Sequence, residues 1–242
     1  MLRELLASRV ELASQPEEDG EAFADAEMNA RVVRDSEKYY RSMFYGDEAS
    51  WNLRDGHMFG VLTRLLKLRP GARAVVWAHN SHIGDARASS MGAVRGEINL
   101  GQLCRENYGE GAVSIIGCGT HTGTVAAADG WDLPMRVMDV RPSRPDSFEG
   151  LLHATGVPSL MLDTRAAARS DDDRRRLGRM PQRFIGVIYR PRTEAQSHYM
   201  TTNPLDQYDA FVWFDRTTAV HAFETAQPRE PLAVGETYPF GM

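Results

Sequence analysis

The residues best suited to chemistry lie together in Val75-Val76-Trp77-Ala78-His79-Asn80-Ser81-His82-Ile83-Gly84-Asp85. An apolar run leads directly into two histidines, an asparagine, a glycine and an aspartate. An imidazole can take or give a proton near neutral pH. His79 and His82 are therefore candidates for assisting proton transfer or stabilising an oxyanion. Asn80 could orient an imidazole or a substrate carbonyl, and Asp85 could fix a tautomer. A strand end whose polar residues merely cap a turn would look the same. The spacing of His79 and His82 also admits a metal, with Asp85 and His121 as further ligands. It lacks the central Glu of the H-E-x-x-H helix, however, and no flanking Cys or Glu completes a set.

Three further strings carry reactive side chains. In Trp51-Asn52-Leu53-Arg54-Asp55-Gly56-His57-Met58, Arg54 can clamp a carboxylate or polarise a carbonyl. Asp55 there reads as a helix cap and His57 as a helix-face residue. Gly117-Cys118-Gly119-Thr120-His121-Thr122-Gly123-Thr124 reads as a tight glycine loop after a strand. It is neither a P-loop nor a dinucleotide fingerprint. In Tyr189–Tyr199, Thr193 could cap a short helix that sets Glu194 and His198 four apart on one face. That spacing suits an acid/base pair and equally a surface pair. No Gly-x-Ser-x-Gly elbow is present, and neither Cys104 nor Cys118 is marked as an activated thiol. Hydrolysis, if it occurs here, fits water attack better than a covalent intermediate. Trp51, Trp77 and Tyr199 would suit a greasy ester or lactone, or the core.

The elements that must position these residues form an α/β pattern. Apolar residues recur at helical spacing around 1–14, from about Glu21 to Tyr45, and from Asp55 to Leu68. The second stretch has a stripe of Phe23, Met28, Val32, Val33, Tyr39, Tyr40 and Met43. Candidate strands are Ala74–Ala78, Val113–Gly117, Met135–Val140, Ser159–Asp163, Phe184–Tyr189 and Ala210–Asp215. Most are continuous apolar runs, as expected of strands buried on both faces. Helices fit Leu100–Tyr108, Ser147–Ala154 and Thr193–His198, and the charged run 166–179 reads as a solvated loop or helix end. The expectation is a mostly parallel or mixed central sheet flanked by helices, with a helical N-terminal segment, in one domain over 1–242.

Composition narrows the function classes. The 242 residues are 42% hydrophobic and 25% charged, as in a soluble globular chain. The net charge of -5 argues against nucleic acid or anionic lipid as the main partner. Two cysteines do not build a disulfide scaffold, and no apolar run approaches a membrane span. The N-terminus lacks the pattern of a secretory signal, so the cytoplasm is the expected location.

Several strings, in order over about 25 to 220, resemble the erythromycin esterase family. They are Trp51–Met58, Val75–Asp85, Asn99-Leu100-Gly101-Gln102-Leu103, Gly119–Val125, Ile185–Glu194, Ser197-His198-Tyr199 and the stretch Asp215–Val220. The resemblance implies an α/β fold and hydrolysis of an ester or macrolide lactone by histidine-activated water, with no serine nucleophile and no organic cofactor. His79, His82, Arg54, Glu194 and His198 are the site residues expected on this basis, and no metal ligand is assigned. Family members also carry a His-Gly-Thr motif followed by an acidic residue in an N-terminal half. No His-Gly-Thr occurs here. The chain therefore resembles the C-terminal portion of a longer member, and two rival expectations follow. One is a non-catalytic remnant or a subunit needing a partner for the missing half. The other is a metallohydrolase built on His79 and His82.

Overall fold

The computed structural model describes residues 21–44, 50–131 and 133–221. The helix expected around 1–14 lies outside them. The chain divides into two compact units, Met1–Val76 and Trp77–Met242.

In the first unit, α1 (Glu21–Phe44) and α2 (Ser50–Leu68) pack as a pair. Glu27 joins them, accepting from Arg31 one turn along α1 at 2.6 Å and from Arg64 of α2 at 2.8 Å. His57 of α2 meets Asp35 of α1 at 2.9 Å. The Arg34 guanidinium, opposed by burial, holds the Asp35 carboxyl down to about 2, with His57 adding to the effect. The expected stripe of α1 is only partly buried: Val32, Val33, Tyr40 and Met43 are exposed, whereas Ala30 and Ser42 are buried. Ion pairs from Glu27 and Asp35 of α1 to Arg64 and His57 of α2 join this helix pair. Asp55 lies wholly buried within α2, which starts at Ser50, so it does not cap the helix as the sequence pattern indicated.

The second unit contains short helices α3 (Asn80–Ile83), α4 (Ser90–Arg95) and α5 (Leu100–Tyr108) before its first strand. Then follow β1 (Ile116–Ala127), β2 (Arg136–Val140), α6 (Phe148–His153), β3 (Ser159–Asp163), α7 (Thr164–Ala167) and α8 (Asp171–Arg176). The remainder is β4 (Met180–Arg183), α9 (Glu194–Ser197), β5 (Tyr199–Thr202), α10 (Pro204–Gln207) and β6 (Ala210–Thr217). Four strands form a sheet in the order β2-β1-β6-β3, and β4 pairs with β5 separately. The sheet is mixed: β1 and β6 run parallel, while β2 and β3 are antiparallel to their neighbours. Among the described residues no helix is long and apolar enough to cross a membrane.

Three sequence expectations are corrected here. Residues 72–79 carry no regular structure, and Val75 and Trp77 are 94% and 97% exposed, so Ala74–Ala78 pairs with no strand among the described residues. Residues 184–189 follow β4 as irregular chain and touch the sheet edge through one bridge, Ala128 to Ile188. The supposed glycine loop is the middle of β1, a strand of 12 residues. Its glycines make room for aromatic rings. A Cβ on Gly117 would lie 2.7 Å from Tyr208 and Phe211, and one on Gly119 would lie 2.7 Å from Phe211. The same rings, with Trp213, Phe148, Leu152, Ile115 and Leu205, form the core between α6 and the sheet. Burying such a side chain stabilises by about 1.5–3 kcal/mol. The charged run also forms a helix, α8, because Ser170 accepts from the Asp173 N–H at 3.2 Å. Its acidic first turn and basic last turn both favour the helix dipole.

Candidate active site

His79 and His82 share one tight turn. The His79 carbonyl accepts from the His82 N–H at 2.8 Å, and Gly84 N–H closes on Asn80 O at 2.9 Å. His79 caps α3 with its own ring, its Nδ1 accepting from Ser81 N–H at 3.3 Å and lying 2.8 Å from Ser81 Oγ. The residue reaches the surface, yet its ring lies edge-on to Phe184 at 6.2 Å. Loss of hydration pushes its pKa below the ordinary histidine value, and the nearby His82 adds to this against a backbone hydrogen bond at Ile185. His79 is thus set to be neutral, the form in which an imidazole accepts a proton.

Two asparagines anchor the turn. The Asn80 amide donates to Cys118 O at 2.6 Å and accepts from Cys118 N–H at 3.1 Å, so it grips the backbone of β1 and does not orient an imidazole. Asn99 holds the other side, donating to Ser81 O at 2.9 Å and to Gly84 O while accepting from Gln102 N–H at 3.0 Å. The approach of α5 depends on Gly101, where a Cβ would fall 1.7 Å from Ile83 O. Asp85 fixes no histidine tautomer. Its carboxylate accepts from Arg87 at 2.6 and 2.9 Å and from Arg105 at 3.2 Å. Burial raises its pKa, but these arginines outweigh that and hold it low.

Glu194 and His198 lie on one short segment, but their side chains serve different partners. The Glu194 carboxylate pairs with Arg183 Nη1 at 3.0 Å, both side chains being almost fully buried. Arg183 also donates to the carbonyls of Arg141, Thr120 and His121, so one guanidinium joins β1, the end of β2 and α9. The His198 ring donates from Nδ1 to Phe184 O at 3.3 Å and accepts at Nε2 from Arg190 N–H at 3.0 Å. Both ring nitrogens thus brace the irregular segment 184–190. Burial lowers the His198 pKa, consistent with this neutral ring. Arg54 lies exposed on α2 of the first unit.

Two features escape sequence reasoning. Glu149, in the first turn of α6, is 1% exposed. Its Oε1 accepts from Arg183 N–H at 3.0 Å, and Oε2 has no hydrogen-bond partner. Burial pushes its pKa up to about 7 against the pull of Arg183. A first-turn glutamate is usually a surface residue favouring the helix dipole, so the sequence carries no sign of this burial. The other is a stacked imidazole pair, His121 on His153, with ring centroids 3.5 Å apart. His121 Nδ1 lies 2.7 Å from Ser143 Oγ, and His153 Nδ1 lies 2.6 Å from Asp215. Strand register puts His121 and Asp215 on one face, but the stacking could not be read from sequence. Among the described residues no three His, Cys, Asp or Glu side chains converge to hold a metal ion.

Comparison with known proteins bears on this geometry. The fold is similar to a succinoglycan biosynthesis protein, at TM-score 0.61 and 18% identity over 90% of this chain and 51% of that one. A protein from Bacillus cereus matches at TM-score 0.70 and 15% identity, over 90% and 50%. A histidine-to-asparagine mutant of the erythromycin esterase EreC, in its open conformation, matches at TM-score 0.57 and 20% identity, over 88% and 49%. The chain spans about half the length of each of these structures. At such identities the likeness establishes the fold alone. The sequence pattern of the erythromycin esterase family, however, matches residues 1–217. The chain belongs to the erythromycin esterase family.

Proposed function

We propose that this chain carries the histidine turn of an esterase-like hydrolase and acts on a carboxylic ester or macrolide lactone. The observation that carries the reading is the pairing of His79 and His82 on one anchored turn, with His79 held neutral. Family membership supports hydrolysis as the reaction type. One imidazole takes a proton from water as the water oxygen bonds to the ester carbonyl carbon. The tetrahedral oxyanion then collapses, and the leaving alkoxide takes the proton back. Glu194 and His198 brace the polar wall without entering the proton transfer. Erythromycin and a small ester panel, followed by mass spectrometry for gain of one water, test the reading. Hydrolysis by the purified chain supports it.

A second reading makes the site one half of a larger one, completed by residues outside this chain. The exposure of Trp77, two residues before His79, favours it. Adding a polypeptide that contains the family's His-Gly-Thr region separates the two. Turnover only in its presence supports the second reading.

A further inference from the structure

We propose that Asn99 is a positioning residue for the histidine turn, and that it acts through its side-chain NH₂ group. This rests on the hydrolase reading of that turn. Asn99 is 1% exposed and caps α5 by accepting from Gln102 N–H at 3.0 Å. Capping requires only that oxygen, and Ser, Thr or Asp would supply it equally well. The NH₂ group is not needed for the cap. Both its donors go to the turn instead, one to Ser81 O and one to Gly84 O. These carbonyls lie on either side of His82, and Ser81 also faces the His79 ring. One buried amide thus fixes both ends of the segment bearing His82 and the partner that orients His79. Gly101 lets α5 come close enough for this contact. A side chain with the cap oxygen alone would keep α5 and release the turn. The effect of losing Asn99 should therefore appear at the imidazoles, beyond any loss of helix stability.

The test compares Asn99→Ser, which keeps a cap oxygen and removes both amide donors, with Ser147→Ala. Ser147 caps α6 by accepting from Gly150 N–H at 3.1 Å and does not touch the turn. Two readouts are followed: kcat and KM on p-nitrophenyl acetate, and titration of the histidine ring ¹⁵N resonances. Asn99→Ser should lower kcat on the order of 10- to 100-fold with KM within about twofold, since small misplacements of reacting groups are costly. It should also displace the His79 ring titration. Ser147→Ala should change neither. Should the serine variant fail to fold, Asn99→Asp, nearly isosteric and still a cap, gives the same two readings. An unaltered His79 titration in a folded Asn99 variant would overturn the proposal. If the wild-type chain does not hydrolyse the ester, the hydrolase reading fails on this probe, while the ring titration still decides the role of Asn99.

Discussion

Two polar regions of the second unit differ in how they use their side chains. At residues 79–85, asparagine amides and arginines hold the backbone and Asp85, and the His79 ring meets Ser81 of its own turn together with Phe184 and the Ile185 backbone. At 183–198, the ionisable side chains themselves do the holding. Arg183, Glu194 and His198 are bound to backbone or to one another in near-complete burial. The first arrangement anchors a turn chiefly through amides and guanidinium groups, with the His79 ring held at Ser81 and at the Ile185 backbone. The second uses guanidinium, carboxylate and imidazole as braces. Residue type alone does not distinguish these roles, but their partners do.

The sharpest way to break this comparison is Arg183→Ala. It leaves the buried Glu194 charge unpaired and several carbonyls without donors. A loss of about 3–5 kcal/mol is expected in chemical denaturation. Loss below about 1 kcal/mol would mean the cluster does not brace the fold. Next is His198→Ala, which leaves Arg190 N–H and Phe184 O unpaired. About 1–3 kcal/mol should be lost in the same measurement, with kcat unchanged in whatever remains folded. A selective fall in kcat would instead return His198 to the chemistry.

Glu149 offers a comparison by pH. The fold raises its pKa to about 7, so the folded state favours the protonated carboxyl. Its stabilising contribution is whole below the ordinary glutamate value of about 4.3 and fades as pH rises through about 7. Glu149→Gln stays neutral throughout. It should gain about 1–3 kcal/mol over wild type near pH 8 and nothing near pH 4, read from denaturation at each pH. Equal stability at both pH values would show that the carboxyl is not held this way. The smallest effect concerns His79. Its lowered pKa keeps the base neutral into mild acid, so the acid limb of the rate profile should lie below about pH 6.5. A limb at or above that value would assign the limb to another group.

Much of this was legible in the sequence where the cause is local. Leu100–Tyr108 and Ser159–Asp163 have the expected bounds because caps and continuous apolar runs specify them. β6 runs only two residues past the run Ala210–Asp215. The failures have non-local causes. Phe184–Tyr189 is as apolar as a strand, but its backbone is committed to His198 and to a single bridge with Ala128. The glycines of β1 look like a loop until Tyr208 and Phe211, nearly a hundred positions on, are seen to lie over them. The same limit applies to the site. Proximity along the chain revealed His79 and His82, whereas Arg183 as a brace and Asn99 as an anchor depend on contacts across the fold.

The most direct measurement compares wild type with His79→Ala for hydrolysis of erythromycin and the ester panel. Circular dichroism and thermal unfolding are recorded on the same samples. A fall in turnover of about 10²- to 10⁴-fold with an unchanged fold is the expected result. Equal turnover by the folded His79→Ala chain would contradict the central claim that the histidine turn carries the chemistry.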